Sequence, residues 1–352
     1  MNHVMLVCLF LTLAPCAAPA QSAGGSTSGG AAPVTRGIFN WIHTTGDAES
    51  AFEFYNDVFG IELAPHPFID GATAPEGIRS EAEAGSDALV WELTNTTGSR
   101  FRTVFMRASN TPFGLELSEF FDIPRRTRAA NPWDPGASML RFDVRDLDKV
   151  LMRLADAEAP IVTLGGRPLL TRFGRAILIR DPDGYLIEVV QAAPGAIASA
   201  AAGEIVRTSI VITVSDTAAA VAFYADLLGF EIGPAERIEN DDIRLYGLAG
   251  GALLRTAATI PFTDATVLFS EFVLPADADR QADPFDWRTQ DVGAPQFQLE
   301  VVALDALLER SQRRGYRFLS VGGRPIQRPF GRFVFVIDAD GVLVEFVERA
   351  AP

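Results

Sequence analysis

"GGRPLLTRFGRAILIRDPDGYLIEVV" occupies residues 165–190, and "GGRPIQRPFGRFVFVIDADGVLVEFV" repeats it at 322–347, 157 positions later. In both copies apolar runs flank a turn, Asp181-Pro182-Asp183-Gly184 or Asp338-Ala339-Asp340-Gly341. Pro or Ala at the second turn position and a closing Gly suit a tight reversal, so each copy reads as two strands joined by a hairpin. The doubled segment is the tail of a longer repeat. Phe54-Tyr55 and Gly60 in "GIFNWIHTTGDAESAFEFYNDVFGIEL" (37–63) are matched by Phe223-Tyr224 and Gly229 in "IVRTSIVITVSDTAAAVAFYADLLGFEI" (205–232). Ser118-Glu119-Phe120 is likewise matched by Ser270-Glu271-Phe272.

Each copy divides again into two similar halves. "IVITVSD" alternates as a strand, and Val221, Tyr224 and Leu228 then recur at helical spacing. Asp47 and Asp216 stand where a carboxylate accepts the free first-turn N–H groups of a helix. "MLRFDVRD" (139–146) and "FQLEVVAL" (297–304) open the second halves, followed by amphipathic helices over 147–157 and 304–315. Three strands follow each helix. The fold class expected is therefore α+β, with four βαβββ modules. The small, uncharged stretch "APGAIASAAAG" (193–203) reads as a linker, giving domains at 37–192 and 205–349 with residues 193–204 between them.

Residues 1–20 carry a short apolar run and Ala18-Pro19-Ala20, the pattern of a cleaved secretory signal. Residues 21–36 then read as a flexible tether. Both cysteines, Cys8 and Cys16, fall in the leader, so a chain cleaved after Ala20 holds together without disulfides. A periplasmic or secreted location is expected. Lipidation at Cys16 is the rival reading and the one route to a membrane surface. The net charge of −15 disfavours phosphate backbones, so nucleic acid is not an expected partner. A small molecule is. Nothing in the residues fixes the oligomeric state.

The βαβββ unit with "D…FY…G" after its first strand and "FGR…DPDG…E" at its end resembles the vicinal oxygen chelate superfamily. That superfamily contains glyoxalases, extradiol dioxygenases and bleomycin resistance proteins. The resemblance implies pairs of modules closing into half-open antiparallel β-barrels around a cavity. It also implies a divalent metal whose ligands come from the first and last strands of the two modules in a barrel. With the repeats taken as domains, those positions carry Asn40, Glu116, Met139 and Glu188 in the first and Ser209, Leu268, Gln296 and Glu345 in the second.

No histidine stands at any of them, so a transition metal lacks its usual donors and no cofactor is expected. Oxygens of Asn40, Glu116 and Glu188 leave a hard cation open in the first domain. His43, of opposite strand parity to Asn40, and His66, in a Pro-flanked loop, read as ordinary surface or loop residues. Glu188 and Glu345 sit in apolar strands facing the barrel interior and are the candidate catalytic groups, with an ion pair to Arg141 the alternative for Glu188. Asn40, Glu116, Met139, Ser209 and Gln296 are candidate ligand contacts. Arg167 and Arg324, beside paired glycines, are candidate anion clamps. Arg175 and Arg332 are expected to hold the turn carboxylates, and Trp133, Phe285 and Trp287 to cover a ligand or plug a barrel end. Three functions stay open: an exported binder of a small organic molecule without a transition metal, a metal-dependent lyase, isomerase or dioxygenase with its active site in the first domain, and a structural protein with filled barrels.

Overall fold

The computed structural model of the chain describes residues 34–68, 72–276, 278 and 285–350. The expected signal peptide, Cys16 and most of the tether lie outside these residues. Among the described residues no helix is long and apolar enough to cross a membrane.

Four modules appear, at 35–121, 138–191, 205–273 and 295–349, each with a strand, a helix and further strands. Local chemistry sets the first helix, Ala48–Phe59. Asp47 accepts the N–H groups of Glu49 and Ser50, and Gly60 ends the helix in the left-handed region at φ 68°. Ala51, Phe54, Tyr55 and Val58 recur on its buried face. Asp146 and Asp216 cap the helices Leu147–Asp156 and Thr217–Tyr224 in the same way. Within every module the first strand pairs in parallel with the last. The stretch between the repeats is not featureless, because Pro194–Ser199 forms a short helix outside both sheets.

The modules do not close as the sequence repeats suggest. The first strand Thr35–Thr44 runs antiparallel to Pro295–Val301, so the first and fourth modules form one nine-stranded curled sheet. Ser138–Val144 runs antiparallel to Ile205–Thr213, and the second and third modules form the other, of eight strands. Modules two and three are joined by a short connection and become neighbours, which leaves one and four to close on each other. Each repeat thus spans both barrels, and the metal-ligand quartets must be regrouped. Asn40 and Glu116 share a barrel with Gln296 and Glu345, whereas Met139 and Glu188 share theirs with Ser209 and Leu268.

The repeated motifs tie the barrels together. Tyr55 of "FY" donates to Asp181 Oδ2 over 2.9 Å, and the Gly46 N–H donates to Asp183 Oδ1 over 2.8 Å. Tyr224 donates to Asp338 over 2.8 Å, and the Ser215 N–H to Asp340 over 3.0 Å. Module one is thereby latched to module two, and module three to module four. Gly341, at φ 94°, is fixed by contact as well as by conformation, since a Cβ there would lie 2.0 Å from the Phe285 carbonyl oxygen. The turn carboxylates are not held by the neighbouring arginines. Arg175 pairs with Asp148, and Arg332 with Asp305 and Glu348.

Candidate functional site

The first barrel encloses a cavity of about 340 Å³. Its walls are aromatic: Phe68, Phe101, Phe105, Phe120, Phe330, Phe333 and Phe335 all line it. Phe105 and Phe335 are placed by strand pairing, each directly beside a glutamate of the neighbouring strand, Glu116 and Glu345. Phe68 and Phe330 stack with centroids 5.7 Å apart at an interplanar angle of 2°. His66 joins this wall edge-on to Phe105. Its Nδ1 accepts the Phe68 N–H, and burial holds its pKa below the ordinary histidine value. A helix within the first module, Ala88–Thr94, adds Val90, Leu93 and Thr94 to the lining.

The polar floor is a chain of four side chains. Asn40 Nδ2 donates to Glu116 Oε2 over 3.1 Å and to Gln298 Oε1 over 2.9 Å, and Gln298 Nε2 donates to Glu345 Oε2 over 2.6 Å. Ser118 Oγ donates to Glu116 Oε1 over 3.3 Å. Burial raises the Glu116 pKa to about 7 against the opposing bonds from Ser118 and Asn40. It raises Glu345 to about 8, with the nearby Glu116 charge adding to the effect and Gln298 opposing it. Gln296 also lines the cavity, its amide bonded to Thr44 Oγ1. At the rim Arg328 pairs with Asp87 at 2.7 Å.

The second barrel answers the same positions differently. Strand register equates Asn40 with Ser209, Glu116 with Leu268, Gln298 with Arg141 and Glu345 with Glu188. Thr103, opposite Ser118, corresponds to Arg255, opposite Ser270. Thr94 corresponds to Tyr246, each ending a helical turn just before a left-handed residue. Glu188 is there locked by Arg141 at 2.9 Å, Arg255 at 3.3 Å and the Tyr246 hydroxyl at 3.1 Å. Despite full burial, the two guanidinium groups hold Glu188 below the ordinary carboxylate range. Met139, Leu178, Val211 and Leu253 pack in the same interior. Glu188 thus makes the ion pair with Arg141 that the sequence left as its alternative, and Met139 lies in an apolar cluster. Ser209 is buried in this same barrel.

Arg167 and Arg324 are exposed and contribute nothing to the cavity; Arg328, four residues beyond Arg324, is the arginine that lines it. Phe285 and Trp287 are buried and stacked at 4.7 Å, with Trp287 Nε1 donating to the Gly136 carbonyl, and both belong to the apolar cluster that includes Phe333 and Phe335. Trp133 packs against the apolar interior of the second barrel. Thr103, Thr94, Gln298, Arg328 and the phenylalanines are among the cavity residues that sequence reading missed. Aligning the repeats position by position exposes the first two, because small residues in one barrel face Arg255 and Tyr246 in the other.

The floor does not suit zinc, iron or nickel. It offers two carboxylates and two amides without imidazole, and the Asn40 NH₂ group occupies the space between the Glu116 and Gln298 oxygens. A different donor set does contain a histidine. His43, fully buried rather than at the surface, places Nε2 3.3 Å from Asp181 and 3.1 Å from Asp183 at the first latch. Asp181 Oδ2 also accepts from Tyr55, and the Oδ1 atoms of the two carboxylates accept from the Gly46, Asp183 and Tyr185 N–H groups. Burial lowers the His43 pKa, but the two aspartates outweigh it and hold the imidazole above its usual value. Both carboxylates approach the same ring nitrogen, Nε2, and favour the protonated imidazole.

Glyoxalase I from Zea mays has the same fold, with a TM-score of 0.53 at 15% identity over 89% of this chain and 92% of that one. A putative dioxygenase from Bacillus subtilis matches at a TM-score of 0.53 and 12% identity, over 91% and 87% of the two chains. No curated protein sequence matches. The family model of the Glyoxalase/Bleomycin resistance protein/Dioxygenase superfamily matches residues 39–189 and 207–346, and with its two barrels and paired βαβββ modules the chain belongs to that superfamily.

Proposed function

We propose that this protein binds a small, largely aromatic organic molecule in the first barrel, and does so without a transition metal. The observation that carries the reading is the contrast between the barrels. One is filled by Arg255, Arg141 and Tyr246, and the other, with Thr103, Gln298 and Thr94, keeps a phenylalanine-lined space closed below by Glu116 and Glu345. A volume of about 340 Å³ falls in the range of small-molecule sites, which combine apolar walls with a few convergent polar groups. Export through the leader at 1–20 belongs to the same proposal and is supported by its sequence pattern alone.

Transplanting the filling residue tests this. Thr103→Arg puts into the first barrel the side chain that the second carries at Arg255. Aromatic fragments should give saturation-transfer NMR signals with the wild type that disappear with Thr103→Arg, while the circular dichroism stays native. Equal signals from both proteins contradict a first-barrel site.

A second reading has its own observation. Carboxyl groups with pKa values of about 7 and 8 in one cavity suit proton transfer near neutral pH, so Glu116 and Glu345 are the acid–base candidates if the bound molecule is also converted. A loss of turnover in Glu345→Gln larger than its loss of ligand affinity is the result expected of that chemistry.

A further inference from the structure

We propose that the ligand of the first barrel is an organic cation, an amidine, guanidine or amine carried on an aromatic body. This rests on the reading of that barrel as a binding site and goes beyond it to the ligand's charge. The second barrel supplies the argument, because it holds a built-in version of such a ligand. Glu188 is met there by two guanidinium groups, Arg255 with its Cζ 5.5 Å from the Tyr246 ring centroid and Arg141 with its Cζ 5.2 Å from that of Phe173. A planar cation thus lies between a buried carboxylate and an aromatic face, an arrangement in which charge pairing and the ring quadrupole act together.

The first barrel keeps the carboxylate and the rings but, among the described residues, sets no guanidinium against the carboxylate. Glu345 holds the position of Glu188, while Gln298 and Thr103 replace Arg141 and Arg255. Among the described residues neither Glu345 nor Glu116 has an ion-pair partner; their hydrogen bonds come from Gln298, Asn40 and Ser118. Among the described residues the one arginine or lysine in the lining, Arg328, is engaged by Asp87. With Asp87 balancing Arg328, the described lining carries two further carboxyl groups and no arginine or lysine to match them. An anionic ligand meets repulsion there. A neutral one leaves the glutamates desolvated and unpaired, whereas a cation compensates both and finds Phe105, Phe330 and Phe335 around it.

Isothermal titration at pH 8.0 with benzamidine and 2-naphthamidine, against the matching neutral amides and anionic carboxylates, tests the charge. The amidines should bind wild type at least ten-fold more tightly than their amides, and the carboxylates should not bind measurably. Glu345→Gln should reduce the amidine preference to three-fold or less. Amides or carboxylates binding as tightly as amidines overturns the cation inference and leaves the binding site standing. If none of the six binds the wild-type protein, the inference and the site it rests on both fall.

Discussion

Arg141 Nη1 lies 2.9 Å from Glu188 Oε1 inside the second barrel, with both side chains withdrawn from solvent. Removing one partner of such a pair leaves a buried charge uncompensated. Glu188→Gln strands both Arg141 and Arg255 and should cost about 3–5 kcal/mol in urea unfolding. Glu345→Gln removes a desolvated carboxyl that no cation balances, and should cost less than about 1 kcal/mol or stabilise the fold. Equal losses from the two substitutions contradict the separation of a structural from a binding barrel.

Stability should fall as pH rises from about 5 to 8.5. Glu345 and Glu116 have folded-state pKa values raised from 4.5 to about 8 and about 7, and Asp338 is raised from 3.8 to about 7, in each case chiefly by burial. The folded chain therefore binds more protons than the unfolded chain across that window, and the stabilisation is lost as pH passes through the folded values. The imidazolium of His43 acts in the same direction, because its folded pKa lies above 6.5. The urea midpoint should be higher at pH 5.5 than at 8.5, and Glu345→Gln should reduce the difference. A midpoint that climbs over this range contradicts the assignment.

The latches give a matched pair of substitutions. Tyr55→Phe and Tyr224→Phe each remove one hydroxyl donor from a buried aspartate, and each should cost about 1–3 kcal/mol in thermal unfolding. His43→Ile copies the residue at the corresponding position of the third module, Ile212, whose main chain holds the same place in the sheet. It leaves Asp181 and Asp183 without the proton that His43 binds at low pH and loses as pH rises through its raised folded value, so it should destabilise more at pH 5 than at pH 8. A loss that does not vary with pH contradicts the imidazolium latch.

Zinc, iron and nickel should each be well below one equivalent in the purified protein after mild dialysis, read by plasma mass spectrometry. The first-barrel floor lacks imidazole, and the donors around His43 are already committed to hydrogen bonds. One equivalent of any of these metals that persists in wild type contradicts the donor argument, and its loss in His43→Ile locates it at the latch.

Much of this was legible in the residues, and the gaps have physical causes. Alternation and helical spacing give the modules, and the aspartate caps mark where each helix starts. Their grouping into barrels is invisible to periodicity. Which first strands pair across the seam is a long-range choice, and the sequence repeat points to the wrong one. That choice moved Glu188 away from Asn40 and Glu116 and put Glu345 beside them. The inward orientation of both glutamates follows from strand parity, but their opposite chemistry depends on Arg255 and Thr103, which lie on a strand of another module. His43 illustrates the remaining limit. Its parity correctly turns it away from the floor, yet the two aspartates that enclose it come from a turn 138 to 140 residues further along the chain.

Where a ligand sits tests the first-barrel site most directly. Crystals soaked with 2-naphthamidine and, separately, with 2-naphthamide place the bound ring without regard to the ligand's charge. The prediction is electron density for the ring among Phe105, Phe330 and Phe335, with the polar group toward Glu345. Ligand density beside Glu188 in the second barrel, with the first barrel holding water alone, contradicts it.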